Sequence, residues 1–253
     1  LRIVRRFLEA GMMWNGVCVE RHEGTPQGGP LSPLLANLVL DDLDKELERR
    51  GHRFCRYADD SNIYVRTQKA GERVMASVRR FLEEKLQLRV NGEKSAVTPV
   101  QERQFLGYRI LRDGRLTIAP RSLERVKRRI REITRRNRGI SLEQMVGELN
   151  SYLTGWVTYF RYAACKSHLK RLDEWIRRKL RCIRLKQRKR AKSIANFLQS
   201  LGVSEKSAWM LALSGKGWWR KSGTSQAHQA MSIAWFRAQG LVSLSQRYAE
   251  LQP

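Results

Sequence analysis

Apolar positions recur along this chain with two different periods, and the change from one to the other marks its elements. Residues 1–10 place Ile3, Val4, Phe7 and Leu8 at helical spacing, with Gly11 as the expected stop. Val17-Cys18-Val19 predicts a short strand after an Asn15-Gly16 turn. A longer helix is predicted to start at Ser32, an N-cap, with Pro33 in its first turn. It carries Leu34, Leu35, Leu38, Val39, Leu43 and Leu47 on one broad face and ends at Arg50, before Gly51. The stretches 54–57 and 63–65 are aromatic and β-branched, as strands prefer, and flank a short polar tip. Val74, Val78, Phe81, Leu82 and Leu86 predict a second helix over 70–86. Strands are predicted at 88–90 and 105–110, and Asp113-Gly114 joins the strands around Ile110 and Thr117 in a hairpin. Residues 1–118 therefore read as α+β, an antiparallel sheet with helices.

Near Pro120 the period becomes helical throughout. Leu123, Val126, Ile130 and Ile133 form one stripe. Ser141 and Gln144 form a capping box for a second helix, lined by Leu142, Met145, Val146, Leu149, Tyr152 and Leu153. Leu172, Ile176, Leu180 and Ile183 mark a third. Residues 119–192 thus read as a helical bundle, and 193–253 as a mostly helical extension.

Charge adds a partner to this outline. The 253 residues hold 50 Lys and Arg against 24 Asp and Glu, a formal charge of +26. Residues 121–190 alone hold 22 Lys and Arg against 6 Asp and Glu. Solvated helix faces usually mix signs; a single-sign face predicts a phosphate-tracking surface, with Arg128, Arg129, Arg135, Arg136, Arg177, Arg178, Lys179 and Arg181 as candidate contacts. A membrane is the other polyanionic surface, but no apolar run reaches spanning length and no signal-peptide pattern opens the chain, so no membrane partner is expected. Cys18, Cys55, Cys165 and Cys182 form no Cys-x-x-Cys pair, which fits a reducing, intracellular setting.

Two stretches carry candidate chemistry. At the tip between strands 54–57 and 63–65 sit Asp59 and Asp60. Adjacent carboxylates repel unless a cation lies between them, and hard oxygen ligands suit Mg²⁺; a solvated acidic turn is the plain alternative. The second is the Gly/Pro-rich loop 24–33, which leads into a helix N-terminus. It can be a backbone-lined nucleotide pocket or an ordinary connection. In the tail, Gly215-Lys216-Gly217-Trp218-Trp219-Arg220-Lys221 pairs aromatics with cations, which suits either base stacking or a Trp-capped turn.

Taken together, Pro26-Gln27-Gly28-Gly29-Pro30-Leu31-Ser32-Pro33-Leu34-Leu35-Ala36-Asn37 and Tyr57-Ala58-Asp59-Asp60 closely resemble the palm of a reverse transcriptase. The segments 86–95 and Phe105-Leu106-Gly107-Tyr108 resemble the following palm blocks, and 149–161 resembles the thumb, or maturase-specific domain, of group II intron-encoded proteins. The order and spacing of these blocks make the resemblance specific. It implies a partial reverse-transcriptase palm over 1–118, a thumb/maturase bundle over 119–192, and an extension of the maturase region over 193–253. It implies RNA-templated DNA synthesis by two-metal nucleotidyl transfer, with Asp59 and Asp60 as ligands of catalytic Mg²⁺. Lys94 matches a proton donor to pyrophosphate, Tyr57 and Ala58 match positions near primer end and nucleotide, and Pro26, Gln27 and Gly28 match the loop against nucleotide and template. The implied partners are group II intron RNA, a DNA target or primer, and deoxynucleoside triphosphates. The family carries a further catalytic Asp and the fingers upstream of the Pro-Gln-Gly loop. This chain opens at Leu1 and its first Asp is Asp41, so a fragment is expected. An RNA-binding splicing cofactor without polymerase activity is therefore the alternative.

Overall fold

The computed structural model describes residues 2–9, 12–14, 17–19 and 31–252. Two compact units divide the chain, residues 1–99 and 100–253. Both mix helices with antiparallel hairpins or are mainly helical, and the whole is α+β.

In the first unit, helix α1 (Arg2–Glu9) precedes strands β1 (Met12–Trp14) and β2 (Val17–Val19), which pair antiparallel. Helix α2 (Ser32–Arg49) follows, then strands β3 (Arg53–Tyr57) and β4 (Asp60–Tyr64) and helix α3 (Gln68–Arg80), which runs into a π-helical turn at Phe81–Lys85. Leu31, not Ser32, occupies the N-cap of α2, and no side chain caps that end. The core is small. Leu43, Leu47 and Val78 are buried, with Leu40, Phe54, Ile63, Val74, Phe81, Leu82 and Leu86 packed around them. Phe54 and Ile63 face each other across β3 and β4, so one face of the hairpin packs on the C-terminal half of α2 and on α3. The N-terminal half of α2 does not share this core: Leu34, Leu38 and Val39 are 54, 62 and 42% exposed. The expected broad apolar face is thus buried only over its second half.

Two expected strands are corrected. Residues 88–90 are irregular, because the chain leaves the π-helical turn through Gln87 in the left-handed region (φ +55°) and Leu88 N–H caps back onto the Leu82 carbonyl at 2.9 Å. Over 105–110, only β5 (Tyr108–Ile110) is a strand. Phe105 and Tyr108 exchange both backbone hydrogen bonds, 2.9 Å each, around Leu106 (φ +51°) and Gly107 (φ +79°). Positive φ at both central positions is the mirror-image turn that matches strand twist. Nor do the strands form one sheet: the described residues hold three separate two-stranded ribbons.

In the second unit, β5 pairs with β6 (Leu116–Ile118) around Gly114. Then come α4 (Pro120–Ile133), α5 (Leu142–Tyr159), α6 (Lys166–Arg188), α7 (Ala191–Gln199), α8 (Glu205–Leu213), α9 (Trp218–Lys221), α10 (Ser225–Ala230), α11 (Ile233–Ala238) and α12 (Leu244–Glu250). Ser141 Oγ accepts from Gln144 N–H at 3.1 Å, as the capping pattern predicts. One continuous core runs from Ile118 through Leu149, Leu180 and Phe197 to Phe236 and Leu244, so the tail helices share the interior of the bundle. Two polar side chains tie them down. Buried Asp173 accepts from Leu244 N–H (2.8 Å), Ser245 N–H (3.0 Å) and the hydroxyls of Ser243 and Ser245, which caps α12. The Asn150 amide donates to Gly240 O (2.7 Å) and accepts from Val242 N–H (3.0 Å).

Candidate active-site hairpin and nucleic-acid face

The β3–β4 register pairs Tyr57 with Asp60, which leaves Ala58 and Asp59 as a two-residue turn. Ala58 adopts φ +53°, a conformation that costs a non-glycine residue about 1–2 kcal/mol. A strained residue persists only when its surroundings hold it, and here Arg56 does so. Its Nη1 donates to the Ala58 carbonyl (3.0 Å) and to Asn37 Oδ1 (2.8 Å). Its Nε and Nη2 grip the Asp44 carboxylate at 2.8 and 2.5 Å. Asn37 and Asp44 lie seven residues apart, two turns along one face of α2. The guanidinium therefore pins the turn to the helix, and that spacing is the signal sequence reasoning passed over.

Asp59 and Asp60 both stand exposed at the tip. Neighbouring acids are engaged elsewhere: Asp44 with Arg56, and Asp41 with Lys45 Nζ at 2.6 Å. No hydrogen bond or ion pair of the Asp59 or Asp60 side chain occurs among the described residues. Two unengaged hard-oxygen donors at consecutive positions have the donor chemistry that hard divalent cations take, binding one or two carboxylates plus substrate phosphates. No cluster of three metal-ligating side chains occurs among the described residues. Tyr57 is 63% exposed beside the turn. Lys94 is exposed in a turn organised by Asn91, whose Oδ1 accepts from Glu93 and Lys94 N–H at 3.1 Å each. Pro26, Gln27 and Gly28, like the Asn15-Gly16 turn and Gly11, lie outside the described residues.

In the second unit the cations divide by burial. Arg128, Arg129, Arg135 and Arg136 are exposed along and just beyond α4. Arg177 is half-buried on α6. Arg178 lies over the Trp219 ring at 4.2 Å, and Lys179 over Trp175 at 4.9 Å. Arg131 meets the same Trp175 at 5.6 Å. Burial, with Arg131 and Arg136 nearby, lowers the Lys179 pKa. Arg181 differs from the rest. It is 4% exposed, donates from Nε to Met231 O at 2.9 Å and stands 3.4 Å from the His228 ring. Burial, reinforced by Arg177, pushes its pKa down to about 10, so it remains charged at neutral pH. It is a framework cation joining α6 to the tail, and its side chain is not on the outer face.

The family model described as "Reverse transcriptase (RNA-dependent DNA polymerase)" matches residues 2–110. The model described as "Group II intron, maturase-specific domain" matches residues 123–201. Among curated proteins, Protein YkfC of Escherichia coli K12 is 29% identical over 147 residues, covering 44% of this chain and 39% of that protein. Group II intron-encoded protein LtrA of Lactococcus lactis subsp. cremoris is 27% identical over 180 residues, covering 45% of this chain and 30% of LtrA. The two matched domains follow one another in a single chain. A reverse-transcriptase segment followed by a group II intron maturase-specific segment, with the similarity to LtrA, supports a group II intron reverse transcriptase/maturase. The chain spans between three and four tenths of the length of these relatives.

Proposed function

We propose that the chain contributes to RNA-templated DNA synthesis and to binding of group II intron RNA in splicing and mobility. The observation that carries the first part is the pair of unengaged carboxylates, Asp59 and Asp60, on a turn that Arg56 pins to α2. In this reading Asp59 and Asp60 hold Mg²⁺, which supplies charge stabilisation to the attacking 3′-oxygen and the leaving pyrophosphate. Tyr57 and Ala58 lie by the primer end and incoming deoxynucleoside triphosphate, and Pro26, Gln27 and Gly28 against nucleotide and template. Lys94 delivers a proton to the departing pyrophosphate. Residues 1–118 act as the partial palm, 119–192 as thumb and maturase-specific bundle, and 193–253 as its extension. No helix among the described residues is long and apolar enough to cross a membrane, and a cytoplasmic setting is part of the proposal.

The test is primer extension on an RNA template with Mg²⁺, beside Asp59→Ala. Extension reduced at least about 100-fold in the variant is expected, because loss of an outer-shell partner alone already costs about 10–100-fold. Undiminished extension by Asp59→Ala refutes the metal assignment.

A second reading, an intron-RNA-binding maturase without polymerase activity, is favoured by the exposed cations Arg128, Arg129, Arg135 and Arg136. A folded protein that binds intron RNA tightly and extends no primer would establish it over the first.

A further inference from the structure

The α8–α9 junction, itself outside both segments matched by the family models, forms with Arg136 of the maturase-specific segment an open depression of about 670 Å³. Arg136, Lys216 and Arg220 line it together with Trp218 and Trp219, and no acidic residue does. Lys216, Trp219 and Arg220 are exposed, Trp219 by 40%. A lone exposed apolar ring is ordinary on a protein surface, so Trp219 stands apart only if its ring is fixed in place.

Several side chains do hold it. Arg178 of α6 stacks on the Trp219 ring at 4.2 Å and donates to its carbonyl at 3.4 Å. Gly223 makes room for that guanidinium: a Cβ there would come within 3.0 Å of Arg178 Nη2. Lys221 is only 7% exposed, lies over Trp218 at 5.3 Å, and donates to Ala212 O at 3.1 Å. It thereby ties α9 to the last turn of α8, where a cation also complements the helix dipole. Ser214 Oγ accepts from Lys216 N–H at 3.2 Å and shapes the intervening loop. The result is a rigid aromatic platform with cations on its rim. An acidic groove-binder would use the cations but not the presented indole; a nucleobase on a phosphate backbone uses both.

We propose that Trp219, with Lys216, Arg220 and Arg136 around it, is a subsite for single-stranded RNA, stacking one base on the indole while the rim cations hold the adjoining phosphates. Arg178 is a positioning residue that fixes the ring. The subsite rests on the RNA-binding reading above and adds to it a base-dependent contact that a purely electrostatic face lacks.

The test measures binding of the full chain to a fluorescein-labelled single-stranded RNA 12-mer and to an abasic strand of the same length. The variants are Trp219→Leu, Trp219→Phe, Lys216→Glu and, as a charge control on the exposed face of α8, Lys206→Glu. The base-bearing strand should bind tighter by on the order of tenfold. Trp219→Leu should erase that preference while leaving abasic affinity and the thermal melt unchanged, and Trp219→Phe should keep most of it. Lys216→Glu should weaken both strands more than Lys206→Glu does. Equal affinity for both strands, with Trp219→Leu silent while the wild-type chain still binds both, overturns the subsite and leaves the RNA-binding reading standing. Failure of the wild-type chain to bind either strand at low salt overturns both. Equal competition by polyglutamate marks the depression as an acidic-protein groove and also overturns the subsite.

Discussion

Gly107→Ala isolates the steric demand of the Phe105–Tyr108 turn. Gly107 sits at φ +79°, where an alanine costs about 1–2 kcal/mol, partly offset by about 0.4–1 kcal/mol from a stiffer unfolded chain. A Cβ here would also lie 2.9 Å from Ser122 Oγ and 3.2 Å from Phe160 Cζ. Neither neighbour can easily retreat. Ser122 Oγ donates to the Gly107 carbonyl at 3.1 Å. Phe160 is wedged among Tyr108, Trp156 and Tyr159 at ring separations of 4.9–5.0 Å. Overpacking of this kind costs about 1–3 kcal/mol, which brings the total to about 1–4.5 kcal/mol, near 3 at its middle. Gly114→Ala is the matched control: its φ is +81°, but nothing lies within 4 Å of the new Cβ, so it should cost only the backbone part, about 0–1.5 kcal/mol. Urea unfolding followed by tryptophan fluorescence reads the difference, since six of the seven tryptophans lie in residues 100–253. With m near 2 kcal/mol/M, Gly107→Ala should lower the midpoint by about 1 M more than Gly114→Ala. Adding Ser122→Ala should recover part of the loss. Equal shifts for the two glycines would refute the packing argument and leave only backbone strain.

Other outcomes follow from the same geometry. Reversing charge at Arg128, Arg129, Arg135 and Arg136 should flatten the salt dependence of RNA binding, each lost phosphate contact changing the log–log slope by about 0.7–0.9; an unchanged slope would rule that face out. Arg56→Met should destabilise the first unit by about 1–3 kcal/mol, because it strands the half-buried Asp44 carboxylate, and chemical denaturation of the variant checks it. In a Cys18→Ser background, Cys55 should react quickly with a thiol reagent at pH 8. Cys165, pushed up to about 11 by burial, and Cys182, also raised by burial, should lag far behind; three equal rates would contradict the burial. Hydrogen bonds from Arg49 and then Arg50 hold the Glu46 carboxyl down at about 2. A depressed folded-state pKa contributes stability above the ordinary carboxylate range and loses it as pH falls to about 2. The stability gap between wild type and Glu46→Gln should therefore close between about pH 4.3 and 2, and high salt should shrink it.

The periodic signals were the legible part of this fold. α2, the β3–β4 hairpin, and the run from α4 to α6 follow spacings of 3.6 and 2 that burial enforces locally. Boundaries set by backbone chemistry were less so. The Leu106-Gly107 turn interrupts what reads as one strand, and the Met231–Ser232 break, with Ser232 capping α11 through Trp235 N–H, divides a tail that reads only as mostly helical. The chain order of Pro26–Pro33, Tyr57–Asp60 and Phe105–Tyr108 was enough to point to the family, because motif identity and spacing survive without coordinates.

What the sequence determined alone was therefore the α+β class, the excess of positive charge, the resemblance to the family, and the adjacency of Asp59 and Asp60. The fate of the long cations was decided only by tertiary structure. Arg178 and Arg181 stand three residues apart on one basic helix and read alike in sequence, yet one braces Trp219 and the other is buried against Met231, 50 residues further on. Arg56 likewise reads as a strand residue until α2 brings Asn37 and Asp44 to its guanidinium. Helical and strand periodicity report which way a side chain faces its own element. What meets it there depends on elements distant in sequence, and for a flexible charged side chain that encounter decides between solvent, framework and ligand.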